Sequence, residues 1–172
     1  MKRLLLLAAL IATPLIAQSQ TPPFRIAESG QSFWRLDDAV KAVGDHDAVI
    51  EMASGTFHDC ASQHAGNITF RATVPGKTIL EGQTCDGKAA LVLHGRGARV
   101  EGIVFQHMSV PDANGAGIRL ESGNLVVINS WFRDSEEGIL SADDPSASIT
   151  VDHSTFSERA HVQQPRHRLQ RP

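Results

Sequence analysis

The sequence predicts an all-β solenoid, a parallel β-helix of about three to four coils closed at its N-terminal end by one α-helix. The first observation is a repeated unit. Val100-Glu101-Gly102-Ile103-Val104-Phe105, Val127-Ile128-Asn129-Ser130-Trp131-Phe132 and Val151-Asp152-His153-Ser154-Thr155-Phe156 share the pattern V-x-[small or polar]-x-x-F. Their phenylalanines lie 27 and 24 residues apart, and a period in the twenties is that of a coiling repeat. The second observation is the third position of the unit, held by Gly102, Asn129 and His153. Glycine takes positive φ freely, and Asn and His are among the residues enriched there, so each copy is expected to bend at a left-handed corner. The third is a short apolar strand ahead of each unit: Leu91-Val92-Leu93, Ile118-Arg119-Leu120 and Ile139-Leu140. Three strands per turn follow, with Val and Phe pointing inward onto their counterparts in adjacent coils. Each such side chain contributes roughly 1.5–3 kcal/mol on burial, so the stacks hold the coil.

The chain begins MKRLLLLAALIATPLIAQS, which reads as a secretory signal peptide over residues 1–19: two basic residues, an apolar run and a small-x-small cleavage pattern. The run is short for a membrane span, and no other long apolar run occurs, so no membrane contact is expected after cleavage. Residues 20–157 then suffice for one β-helix domain. Next comes the cap, expected over 33–43. Phe33, Leu36, Val40 and Val43 share a helical face, with Ser32 as N-cap and Gly44 beyond the C-terminus. Trp34 belongs with this cap rather than with a sugar platform.

The first coil is expected from Ala48–Met52 and Gly55–Phe57, completed by Asn67–Ala72 and Lys77–Gly82. Here Ala72 stands where later copies have the left-handed residue. Cys60 and Cys85 lie in loops of this coil, and a lone pair in an exported chain reads as a disulfide. A zinc site is the alternative, but the flanking His58 and His64 fit no familiar ligand spacing. Asn67-Ile68-Thr69 is a formal glycosylation sequon.

The whole chain carries a net charge of −3. The signal contributes +2 and residues 158–172 contribute +3, which leaves about −8 on the body, His counted neutral. An acidic body is not the electrostatic footprint of a nucleic-acid binder. Neither a G-x-S-x-G elbow, a phosphate-binding glycine loop nor a helical His pair is present. Glu158 to Pro172, ERAHVQQPRHRLQRP, shows no strand alternation and reads as a disordered basic tail. With the repeat stopping after Ser157, the expectation is a β-helix cut short by truncation, whose uncapped last coil invites self-association. A basic arm for an anionic partner is the alternative.

The helix cap, the coil repeats, the string Asp112-Ala113-Asn114-Gly115-Ala116-Gly117-Ile118-Arg119 and Cys85-Asp86-Gly87-Lys88 resemble secreted bacterial right-handed parallel β-helix repeat proteins of the pectate-lyase-like superfamily. The resemblance covers roughly residues 24–157 and implies a periplasmic or extracellular protein with polysaccharide as partner, held in a groove along one strand face. Outward positions of that face are expected to be Val92, Arg119 and Leu140, then His94, Glu121 and Ala142. Asp112, Asn114, Arg119 and Glu121 are the candidate substrate-binding residues. In a lyase Arg119 would be the catalytic base, and Asp112, Asp134 and Glu137, with Glu136 beside them, would hold Ca²⁺, which favours several oxygen ligands. Against this, Arg119 and Glu121 are i and i+2 on one face, so an ordinary ion pair is the simpler account. No cofactor is certain. The expected function is a carbohydrate-binding or structural module without catalysis, with a fragment of a uronate-polysaccharide lyase as the alternative.

Overall fold

Inward-facing apolar residues recur in register through the chain, and the computed structural model, described here for residues 21–157 and 162–163, shows what they build. The signal peptide, most of the expected tail and their proposed roles lie outside the described residues. Each turn of the chain contributes three short strands. The first coil holds β3 (Asp47–Met52), β4 (Gly55–Phe57) and β5 (Ala61–Gln63), preceded by β1 (Phe24–Ile26), β2 (Ser32–Phe33) and α1 (Leu36–Val43). The second coil is β6 (Asn67–Ala72), β7 (Thr78–Glu81) and β8 (Ala89–Leu93); the third is β9 (Gly97–Glu101), β10 (Ile103–Gln106) and β11 (Ala116–Leu120). The fourth comprises β12 (Asn124–Ile128), β13 (Trp131–Arg133) and β14 (Glu137–Ser141), and the fifth β15 (Ser148–Asp152), β16 (Thr155–Ser157) and β17 (Val162–Gln163). Corresponding strands of successive coils pair in parallel, giving three sheets that wind as a right-handed parallel β-helix.

The coil count of five exceeds the expected three to four. Ala48–Met52 and Asn67–Ala72 belong to successive coils, because β3 and β6 pair in register from Asp47↔Asn67 to Met52↔Ala72. The strand that separates them, β5, is only Ala61-Ser62-Gln63 and carries no apolar alternation to announce it. Val162–Gln163, inside the expected tail, forms β17 against β14, so the repeat continues past Ser157.

Interior columns run along the solenoid. Leu80, Phe105, Phe132 and Phe156 occupy one register row, and the last three rings lie parallel, 5.0 and 4.6 Å apart between centroids. Those spacings match the 4.7–4.9 Å between strands, so the pitch of the coil sets the ring stacking. Ile50, Phe70, Val100, Val127 and Val151 form a second column, and Leu91, Ile118 and Ile139 a third. The residues named in these columns are fully buried until the fifth coil, where Val151 is 37% exposed and Val162, opposite Ile139, 38%.

Left-handed corners fall at Gly102 (φ 72°), Asn129 (φ 48°) and His153 (φ 46°), as the repeat predicts. A second set, not read from the sequence, follows the second sheet at Gly82 (φ 65°), His107 (φ 58°) and Asp134 (φ 50°). Serine follows the corner residue in Asn129-Ser130, Asp134-Ser135 and His153-Ser154. Its Oγ donates to the carbonyl two residues back and accepts an N–H from the preceding coil: Ile103 to Ser130, Met108 to Ser135, Ser130 to Ser154. Backbone groups that the corner removes from the ladders are thereby satisfied.

The cap differs at its start. Ser32 and Phe33 pair with β1 as a strand, and the helix begins at Leu36 with Arg35 as N-cap. Arg35 offers no side-chain cap; instead the buried Asp59 carboxylate accepts the Leu36 N–H at 3.0 Å. Leu36, Ala39, Val40 and Val43 are buried against the first coil, and Gly44 (φ 65°) ends the helix as expected. Cys60 and Cys85 form a disulfide with Cα atoms 5.5 Å apart. Their loops meet because each leads toward a third-sheet strand, β5 or β8, and these strands pair.

Candidate functional site

The third sheet carries the face expected to bind. Ser62, Val92, Arg119 and Leu140 stand in one register row on β5, β8, β11 and β14. The row is not the open strip expected from the sequence. Val92 is fully buried and Leu140 nearly so, in a small apolar cluster with Ala89 and Ala116 against which Cys85 packs. The disulfide-anchored turn before β8 is what covers this end of the face. His94, also expected to point outward, stacks on His64 with ring centroids 5.4 Å apart.

Charge concentrates around Glu121. Arg119 Nε lies 3.2 Å from Glu121 Oε1, and Lys88 Nζ reaches the same oxygen at 2.5 Å. Arg119 comes from β11 and Lys88 from the turn ahead of β8, one coil earlier. Burial pushes the Glu121 carboxyl up, but the hydrogen bonds from Lys88 and Arg119 and their charges outweigh it and hold the group below its usual range. Nearby, Ser62 Oγ donates to Asp86 Oδ2 at 2.7 Å.

The bordering loop carries the other sequence candidates. Asp112 and Asn114 are exposed on the connection from β10 to β11. Glu136 is turned to that loop: its carboxylate accepts Ser109 Oγ at 2.7 Å, the Val110 N–H at 3.0 Å and the Gly115 N–H at 2.7 Å. Asp134 approaches His107 Nε2 at 4.0 Å, and Glu137 is largely buried at the start of β14. No group of three or more His, Cys, Asp or Glu among the described residues is arranged to hold a metal ion. Asp112, Asp134 and Glu137 are therefore not brought together as such a group. Stacking of the loops aligns their backbones, but Glu136 is committed to pinning the loop and Asp134 to the second corner.

A second arrangement, not read from the sequence, lies on the outer face of the second sheet. Glu81, Gln106 and Arg133 share a row. Arg133 Nε donates to Gln106 Oε1 at 2.8 Å, and Gln106 Nε2 donates to Glu81 Oε1 at 3.0 Å. His107 Nδ1 is 2.8 Å from the same Glu81 oxygen, and these two hydrogen bonds, His107's first, hold the Glu81 carboxyl below its usual range. Trp131 stands beside this ladder, in register with Val104. The signal was the repeat itself: Gln106 and Arg133 each follow a column phenylalanine, which places them together on the outside.

The chain is similar to the crystal structure of the pectin methylesterase from Aspergillus niger, with a TM-score of 0.53 and 15% sequence identity. The match covers 89% of this chain and 61% of the esterase, so this chain spans less than two thirds of that protein's length. At that identity the likeness shows the fold alone. No protein-family model matches the sequence, and no curated protein matches it.

Proposed function

We propose that this chain is a secreted β-helix module that binds a carboxylate-bearing polysaccharide along the third sheet without transforming it. One observation carries the reading: Lys88 and Arg119, from different coils, converge on the single carboxylate of Glu121. Two cations gathered on one carboxylate form a receptor for another, and a guanidinium suits planar, bidentate recognition. A uronate of the polymer takes the place of Glu121, while Asp112 and Asn114 on the neighbouring loop face the sugar hydroxyls. Arg119 already lies within an ion pair, which favours binding over proton abstraction, a role that needs a free base in reach of the substrate. The fold neighbour, an enzyme whose name specifies pectin, supports a polysaccharide partner. For export, the Cys60–Cys85 disulfide fits an oxidising compartment, and no described helix is long and apolar enough to cross a membrane. The partly exposed Val151 and Val162 of the fifth coil favour self-association there, which sedimentation at rising concentration measures.

The test is calorimetric titration with polygalacturonate, alginate and a neutral polymer of similar length. Binding to the uronates that weakens with salt and falls in Arg119→Ala and Lys88→Ala supports the reading. Equal binding to the neutral polymer overturns it. Accumulation of an unsaturated uronate, abolished by Arg119→Ala, replaces it with the lyase alternative.

A further inference from the structure

We propose a second, separate saccharide site on the outer face of the second sheet, in which Trp131 stacks on a uronic acid ring and Arg133 holds its carboxylate. It shares only its ligand class with the third-sheet reading and stands on different residues.

The first argument is the state of Arg133. Six described arginines, at positions 25, 35, 71, 96, 99 and 119, each have an acidic partner. Arg133 alone among the described arginines has none; its hydrogen bond goes through Nε to the neutral oxygen of Gln106. That contact fixes the guanidinium plane and leaves both terminal nitrogens for a ligand. Gln106 is itself fixed by Glu81, and Glu81 by His107. A fork oriented in advance by its supports loses little freedom when it binds, which is how preorganisation raises affinity.

The second argument is what stands beside it. With Phe132 turned inward, Trp131 and Arg133 point outward from the same strand, about 6.6 Å apart along it. The indole leans over Gly76: a Cβ there would lie 3.3 Å from a ring carbon. On the other side, the described residues of the next coil place Thr155 beside Trp131 and Ser157 beside Arg133. One flank of the aromatic is thus closed by the protein and the other is a ledge of small hydroxylated side chains. An aromatic body joined to a planar cation at this separation suits a ring with one apolar face and one carboxylate. Glu81 lies two coils before Arg133 and the Asp134 carboxylate approaches His107 of the third coil, so an acidic chain runs over the fourth and fifth coils and away from them.

Fluorescence reads the site directly. The chain contains two tryptophans, and Trp34, 58% exposed on the cap, is the other. In a Trp34→Phe background the emission reports Trp131 alone. The expected result is a saturable emission change with hexagalacturonate and none with the length-matched, carboxyl-reduced hexamer. Arg133→Ala should weaken the uronate response at least tenfold, and Arg133→Lys, which keeps charge without the fork, should restore only part of it. Urea midpoints matched to the parent exclude misfolding as the cause. Arg119→Ala, which disables the third-sheet site, should leave this emission titration unchanged. No change with the uronate, an equal change with the reduced hexamer, or indifference to Arg133→Ala overturns the site. A hexaglutamate peptide that reproduces the titration overturns the saccharide assignment in favour of an acidic peptide.

Discussion

Removing the Phe132 ring tests whether the interior columns hold the molecule together. Phe132 is 1% exposed, with Phe105 stacked on one side and Phe156 on the other. Truncation of a buried Phe to Ala costs about 3–5 kcal/mol, and losing two ring contacts, each about 0.5–1.5 kcal/mol, places Phe132→Ala near the upper end. Phe156 is only partly buried and touches one ring, so Phe156→Ala should cost about 1–2 kcal/mol by the same reasoning. Against a total stability of about 5–15 kcal/mol, the first substitution removes a large share and the second is tolerated. Urea unfolding followed by far-ultraviolet circular dichroism gives both values, with Phe132→Leu as a milder variant should the alanine protein not fold. If the Phe156 substitution costs as much as the Phe132 substitution, burial through the stack is not what stabilises the coil.

Three further outcomes are expected. Asn129→Val forces a β-branched residue to φ 48° and should destabilise by about 1–3 kcal/mol, while Asn129→Gly should be close to neutral, both measured by urea titration. Replacing both cysteines by serine opens a cross-link between residues 25 apart and should cost about 3 kcal/mol, read as a lowered thermal midpoint. The Glu136 carboxyl is held below its usual range by the Ser109 hydroxyl first and the Gly115 N–H next, with the Val110 N–H adding to them. A depressed carboxyl stabilises above its unfolded value and loses that contribution as pH falls through the folded one. Protection of the amides over residues 109–115 relative to their intrinsic exchange rates should therefore fall as pH drops below the ordinary Glu range, with Glu136→Gln showing the lowered protection already at neutral pH.

The later coils are legible in the sequence because one chemistry recurs at one spacing: valine, a residue that tolerates positive φ, then phenylalanine. The first coil is not, because Ala61-Ser62-Gln63 gives no periodic signal and its strand is defined by the neighbour it pairs with. Gly82, His107 and Asp134 share a backbone conformation without sharing a side-chain type, and that hid the second corner. At the site, the pairing of Arg119 with Glu121 follows from strand alternation. Lys88 joins them only through the fold of a turn, and Val92 is buried by a loop whose position depends on a disulfide. The Ca²⁺ candidates came from loop stacking, which predicts where loops lie, not which carboxylates their own backbones engage. Likewise, that no described acid pairs with Arg133 emerges only when three coils are superposed.

The reversed strand β1, laid antiparallel along β3 with α1 packed beside it, gives the molecule a polarity. Among the described strands the first sheet ends at β15 on one side, while on the other β1 covers β3 and β2 covers β1. A further coil therefore cannot pair directly with β3 at the capped end.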